Sequence, residues 1–331
     1  MKKALKVIGL FFLSLIVILM ETVGGLFILS RFKIDQPASG YDWNETTTFD
    51  LNLHTTSLEV EDDYQVLFLT DIHYFGYFER RTENYITKLV AESEPDLIIL
   101  VGDNTFTPFN KHAMTHLIEL IDSFKTPWTL VFGNHDDFGR ASKDYMANQI
   151  LTSTYAIFTY GPNDFGGNGN QIINLVHDEH IIHSFILLDT VRNGAISPPI
   201  TLKQISWYEW AIKGLQLADP ETLATSVVTH VALPEMVDAY QNGLTIAGFQ
   251  GEKVSLMKNN GLYDKIVELG STKYLFHGHD HYNNNITLYN GIYFTYVMQV
   301  GVFTYGYQKK GGTLFTIMPT GETQFKLVYA N

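Results

Sequence analysis

Leu67-Phe68-Leu69-Thr70-Asp71-Ile72-His73 is the stretch on which the reading of this chain turns. An apolar run ends in two metal-binding side chains one residue apart. In extended backbone, side chains at i and i+2 share a face. The spacing therefore predicts that Asp71 and His73 address one ion from a strand's end while Ile72 turns away. Asp-x-His alone arises often by chance. It gains weight here because each later apolar strand-like run also ends in a ligand-type residue.

Asp96-Leu97-Ile98-Ile99-Leu100-Val101 is continuously apolar after its first residue and ends in Gly102-Asp103-Asn104. Trp128 to Phe132 ends in Gly133-Asn134-His135-Asp136. Helix-like periodicity over Glu79 to Glu92 and Lys111 to Phe124 separates these runs. A β-α-β-α-β order implies parallel strands with right-handed crossovers, and uninterrupted apolar runs imply strands covered on both faces. In open α/β sheets ligands bind at the carboxyl ends of the strands, where all three runs place their polar groups.

Farther on, 141–152 reads as a helix and 161–170, rich in Gly and Asn, as a rim loop. Ile172 to Val176 and Ile181 to Leu188 read as strands turning at His177-Asp178-Glu179-His180, and Leu202 to Leu217 as a helix with Trp207 and Trp210 in the core. Leu223 to Thr229 runs into His230, and Tyr274-Leu275-Phe276 into His277-Gly278-His279-Asp280-His281. The alternating remainder, around 292–296, 313–317 and 325–329, reads as antiparallel strands of a second sheet.

The candidate site residues are Asp71, His73, Asp103, Asn134, His135, His230, His279 and His281. Aspartates, imidazoles and an amide oxygen suit Mn, Fe or Zn better than an all-oxygen calcium site. Two ions a few ångström apart need a shared ligand, and a carboxylate can bridge them. Such a pair can activate water and neutralise a phosphoryl group during in-line displacement. His54, His112, His116, His177, His180 and His183 read as surface or loop groups, and His277 as a structural neighbour of the motif. Asn104 and Arg192 read either as phosphate contacts or as solvated loop residues.

Asp71-x-His73, Gly102-Asp103, Gly133-Asn134-His135-Asp136, His230 and Gly278-His279-x-His281 stand in the order that resembles calcineurin-like metallophosphoesterases, over about residues 64–282. The resemblance implies an α/β fold, a four-layer αββα sandwich of two mixed β-sheets flanked by helices, with a dinuclear centre. By the same resemblance, Asp71, His73 and His281 hold one metal ion, Asn134, His230 and His279 hold the other, and Asp103 bridges. His135 is then the acid or transition-state donor, oriented by Asp136. Gly102-Asp103-Asn104, Gly133-Asn134-His135-Asp136-Asp137, Leu188-Asp189 and His230…Leu233-Pro234-Glu235 narrow the resemblance to purple acid phosphatases of the plant 29 type and their bacterial relatives. Phe106 stands where that branch often carries the tyrosine that ligates ferric iron, and phenylalanine cannot ligate.

Lys2 and Lys3 precede, and Lys6 stands at the head of, an apolar stretch that runs from Leu5 to Leu29 with few interruptions. No A-x-A-like cleavage site follows Met20. The stretch is long enough to span a bilayer, and the lysine bias predicts a cytoplasmic N-terminus. Residues 1–35 are thus expected to be a signal anchor or transmembrane segment, with secretion after cleavage as the alternative. Residues 36–63 read as a linker and edge strand, and 64–331 as the metallophosphoesterase domain. The chain has no cysteine, which excludes thiolate metal sites and Cys nucleophiles. A net charge of −13 with no basic run beyond the N-terminus argues against binding a nucleic-acid backbone. The expected function is hydrolysis of a small phosphoester by a membrane-anchored, extracytoplasmic, dinuclear-metal phosphatase. The alternatives are a phosphodiesterase or pyrophosphohydrolase acting on nucleotides or lipid head groups, and an inactive anchored binding module.

Overall fold

The apolar runs form strands buried on both faces in the computed structural model. It describes residues 33–36, 39–163, 165–190, 200–220, 224–255, 261–306 and 309–330, and isolated positions between 12 and 25. The transmembrane segment expected over 1–35 lies almost wholly outside the described residues. Among those, no helix is long and apolar enough to cross a membrane.

Along the chain the strands are β1 Thr56–Glu59, β2 Tyr64–Leu69, β3 Leu97–Val101, β4 Trp128–Val131, β5 Gln171–His177, β6 His180–Leu187, β7 Thr225–Val228, β8 Leu244–Ala247, β9 Thr272–His277, β10 Ile286–Tyr289, β11 Ile292–Tyr296, β12 Gly311–Ile317 and β13 Thr323–Tyr329. One sheet has the order β13-β12-β2-β3-β4, and the other β1-β5-β6-β7-β9-β11-β10-β8. β2, β3 and β4 pair parallel, with the helices Arg80–Ser93 and Asn110–Asp122 in the crossovers.

Alternation of side chains across each strand produces the layers. Val66, Phe68, Ile99 and Phe315 of the first sheet meet Phe185, Leu187, Val228 and Phe276 of the second. Phe68 stacks on Phe276 with ring centroids 3.9 Å apart, and truncating a buried ring of this kind to alanine costs about 3–5 kcal/mol. The opposite faces of the same strands, Leu67, Leu69, Ile98 and Leu100, pack under helices that include Arg80–Ser93 and Asn110–Asp122. Beyond the second sheet, Ile186, Val227 and Leu275 pack with Trp207, Tyr208 and Ile212 of the helix Leu202–Ala218. The result is the expected α/β sandwich of two mixed sheets.

Two strand assignments change. β12 and β13 do not join the second sheet: β12 pairs antiparallel with β2 and carries β13 on its other side. Phe315 and Ile317 can then enter the core between the sheets. β11 pairs parallel with β9, not antiparallel. Alternation reveals a half-buried strand but not its neighbour, which long-range packing selects. Two histidines assigned to the surface are also inside. His183 lies between the sheets with Nε2 2.7 Å from Ser226 Oγ, and His54 sits among Tyr41, Phe49 and Trp210.

Candidate metal centre

Both sheets bring their ligand-type residues to one place, but not through extended backbone. β2 ends at Leu69, and Asp71 and His73 have φ of 50° and 46°. Asp103 at 50° and His279 at 74° also stand in the left-handed region, which costs a non-glycine residue of the order of 1–3 kcal/mol. The turns persist because the neighbouring strand end catches them. Asp71 N–H donates to Gly102 O at 3.1 Å, and His73 N–H to Asp103 O at 2.9 Å. The expected shared face of Asp71 and His73 is therefore made by two left-handed residues, not by the pleat.

Glycine is required where loops touch. At Gly102, φ 84°, a Cβ would lie 2.6 Å from the His230 side chain, and at Gly133 one would lie 2.1 Å from Asp103 Oδ1. The Gly-Asp and Gly-Asn-His-Asp motifs thus include their glycines because the loops press against the ligands.

Ligand atoms of Asp71, His73 and His281 lie within 4.8 Å of one another, as do those of Asp103, His230 and His279. Asp103 joins the two trios. Its Oδ2 is 3.3 Å from His73 Nε2 and 3.2 Å from His230 Nε2, while its Oδ1 accepts the His135 N–H at 2.8 Å. Asp71 Oδ1 is 3.0 Å from His281 Nε2, and its Oδ2 accepts from Thr70 Oγ1 and His279 N, each at 3.0 Å.

The donor set fits two cations. His230 Nδ1 lies 2.7 Å from Val101 O, which fixes the tautomer and turns Nε2 toward the carboxylates. Among the described residues, His230 Nε2 and Asn134 Oδ1 are buried without hydrogen-bond partners. Burial alone would lower the His230 pKa, yet the Asp103 and Asp71 carboxylates push it up to about 9. Asp103 itself is held well below the usual carboxylate range, because His230 and His73 outweigh its burial. Two buried carboxylates this close together favour positive charge at the position that His230 Nε2 faces, which suits a cation.

His135 lines the cleft above this centre with its side chain one-third exposed and Nε2 3.9 Å from Asp103 Oδ2. Burial holds its pKa below the ordinary histidine value; Asp103 opposes this, and His73, His230 and His279 reinforce it. Asp136 does not orient the His135 ring. Its carboxylate accepts from Thr105 N at 2.7 Å, Gly133 N at 2.7 Å and Asn104 Nδ2 at 3.1 Å. Pinned by donors from three residues, it holds the loop that carries Asn134 and His135. Burial and the neighbouring Asp103 raise its pKa to about 7, against those amides and Lys143.

Asn104 is neither solvated nor free to meet phosphate: it is buried, and its amide spans Val131 O and Asp136. Arg192 lies outside the described residues, and His277 is buried with Nδ1 3.2 Å from Thr229 O.

The cleft, about 280 Å³, is lined by His73, Asp103, Phe106, His135, His279, His281, Phe303 and Tyr305. Phe106 packs 4.3 Å from the His135 ring, and Tyr305 stacks on His281 at 4.0 Å. Tyr305 OH donates to Glu252 at 2.9 Å and accepts the His281 N–H at 3.3 Å. Sequence reading missed Phe303 and Tyr305. Their only local signal is the glycine-framed loop Gly301-Val302-Phe303-Thr304-Tyr305-Gly306.

The model of the calcineurin-like phosphoesterase family matches residues 64–283. The chain belongs to the calcineurin-like phosphoesterase family. "Probable inactive purple acid phosphatase 14" of Arabidopsis thaliana is 22% identical over 306 residues, covering 78% of this chain and 76% of that protein. "Probable inactive purple acid phosphatase 29" of the same plant is 23% identical over 288 residues, covering 75% and 74%. Among solved structures, GAP50, described as the anchor in the inner membrane complex of Plasmodium, aligns with a TM-score of 0.50 at 13% identity, covering 82% of this chain and 86% of its own. At such identity the likeness speaks for the fold alone. Metal-dependent phosphoester chemistry is the family's general activity, and the two trios give this member a place for two ions.

Proposed function

We propose that this chain hydrolyses phosphoesters with two bound metal ions, in a catalytic body anchored outside the cytoplasm by its N-terminal segment. The observation that carries the reading is the meeting of two mixed Asp/His trios at one Asp103 oxygen, 3.2–3.3 Å from an imidazole of each. Asp71, His73 and His281 would hold one ion, Asn134, His230 and His279 the other, and Asp103 both. Bound there, the ions would supply Lewis acidity to phosphoryl oxygens and lower the pKa of water. His135 gives a proton to the leaving oxygen or a hydrogen bond to developing charge. A phosphoryl anion beside it favours the protonated imidazole, against the burial that lowers the free form. Asp136 acts through the loop it pins. The names of the plant relatives describe those proteins as inactive, but here each ligand-type position of the motif set is filled.

A diester reading has its own support. No Lys or Arg lines the cleft among the described residues, so little there rewards the second charge of a monoester. The anchor and extracytoplasmic reading is supported by Lys2, Lys3 and Lys6 at the head of the apolar stretch.

The test is purified protein loaded with Mn, Fe or Zn and assayed on matched monoesters and diesters. Metal-dependent turnover on either class is expected, without a ferric-phenolate band in the iron form, because Phe106 cannot ligate. No turnover with any metal would leave a binding module.

A further inference from the structure

The cleft opens onto a band of aromatic rings that folding alone does not call for. Phe303 lies 5.7 Å from Phe75, Phe75 6.4 Å from Phe109, and Phe109 5.9 Å from Tyr77. Beside them Phe78 is 95% exposed at a φ of 61°. Bulky side chains avoid that region, and a strained turn that holds a ring in water does nothing for the fold. Contiguous exposed apolar surface marks contact with something apolar. Arg80 and Lys111, both exposed, stand two residues along the chain from Phe78 and Phe109 in a chain of net charge −13. Rings flanked by basic side chains suit the headgroup layer of a bilayer.

The path of the chain points to the same surface. Lys33 Nζ donates to the carbonyls of Asp137 and Gly139, and Ile34 N–H to Arg140 O at 2.6 Å. The polypeptide therefore joins the body at the loop that follows His135. Asn110, next to Phe109, donates to the Asp136 and Ala141 carbonyls, each at 2.9 Å, which ties loop and band into one face. The apolar N-terminal stretch ends at Leu29, and the four residues from there to Lys33 span at most about 14 Å when extended. With that stretch in a bilayer, the His135 loop lies close to the membrane surface.

We propose that the mouth of the metal centre faces the bilayer and that its substrate is a phosphoester of a membrane-borne alcohol. Water adds to phosphorus, the bond to the lipid oxygen breaks, and that oxygen leaves with a proton. This inference rests on the hydrolase and anchor readings, and the test separates it from them. The chain has no cysteine, so F78C and D178C each take a single polarity-sensitive label. Asp178 is an exposed control at the turn between β5 and β6, away from the strand ends that carry the ligands.

Full-length protein is reconstituted in phosphatidylcholine–phosphatidylglycerol vesicles with headgroup spin-labelled lipid. Quenching several-fold stronger at residue 78 than at 178 is expected; equal quenching overturns the placement, whether or not the protein is active. Metal-loaded protein is then given phosphatidate in vesicles and, separately, p-nitrophenyl phosphate. The double variant Tyr77→Ser/Phe78→Ser, outside the cleft lining, should lose about tenfold on the lipid, the scale of one ring's apolar contact, and nothing on the soluble ester. Equal effects on both, or turnover of the soluble ester alone, overturn the substrate class. Failure on both of these monoesters and on the matched diesters refutes the hydrolase reading instead, and the quenching still decides the orientation.

Discussion

The two trios of the candidate metal centre differ in what holds them. His230 is fully buried, and the Val101 carbonyl 2.7 Å from its Nδ1 fixes both ring orientation and tautomer. His73 and His281 have no hydrogen-bond partner at Nδ1 among the described residues. Packed rings hold them instead: Tyr305 stacked on His281 at 4.0 Å, and Phe106 5.3 Å from His73. A backbone-fixed imidazole has little left to lose on binding an ion, whereas a ring held by packing can still turn. The His230 position is thus preorganised, and the His73–His281 position, next to the cleft, depends on its aromatic wall.

Asp103→Asn should have the largest effect, because its carboxylate faces both trios. Metal analysis is expected to show both ions weakened by more than the roughly 10–100-fold typical of losing a supporting partner, with activity gone. Retention of two ions by Asp103→Asn, with loss of both by His230→Ala, would break the comparison at its centre.

His135 belongs to neither trio, so His135→Ala should keep both ions and lose about 10²–10⁴-fold in kcat. An aryl ester, whose leaving group needs no proton, should suffer less than an alkyl ester. Equal losses would confine His135 to binding or charge stabilisation, and loss of an ion would place it among the ligands.

Tyr305→Ala removes the ring stacked on His281, together with its hydrogen bonds to Glu252 and the His281 N–H. Metal titration should show the ion at Asp71, His73 and His281 weakened by about tenfold, the low end of that same range, and the His230 position unchanged. Weakening of the His230 ion instead would reverse the contrast.

The smallest effect is expected far from the centre. Burial pushes the His183 pKa down to about 3, against 6.5 for a free imidazole. As pH falls below about 6.5 the unfolded chain takes up a proton that the folded one refuses, so stability declines until about pH 3. The slope from this one group is at most about 1.4 kcal/mol per pH unit. Urea unfolding of wild type and His183→Asn across that window should show the variant's stability falling less steeply; parallel curves would mean that His183 is not held neutral.

Much of this arrangement is legible in the sequence. Leu67–Leu69 and Leu97–Val101 are apolar without interruption, as strands between two layers must be, and their ends carry Asp71 and Asp103. The order of the motifs then points to the family. Asp136 shows where local reading stops. Adjacency suggests a partner for the His135 ring, but donors from Thr105, Gly133 and Asn104 take its carboxylate. Which neighbour a side chain meets is decided by the fold of its loop, not by its place in sequence. Phe303 and Tyr305 are silent for the same reason, since no periodicity marks a loop residue as part of a cleft.

The sequence by itself determined the strand runs, the chemical type of the ligand set and the order in which the chain presents it. These follow from side-chain hydrophobicity and donor chemistry, which are properties of each residue and its near neighbours. Only the tertiary structure decided that Asp71, His73, Asp103 and His279 meet through left-handed turns, that β12 closes beside β2, and that Tyr305 stacks on an imidazole of one trio while Val101 fixes an imidazole of the other. These depend on groups up to about 230 residues apart, such as Tyr305 and His73, whose encounter is selected by packing two sheets face to face.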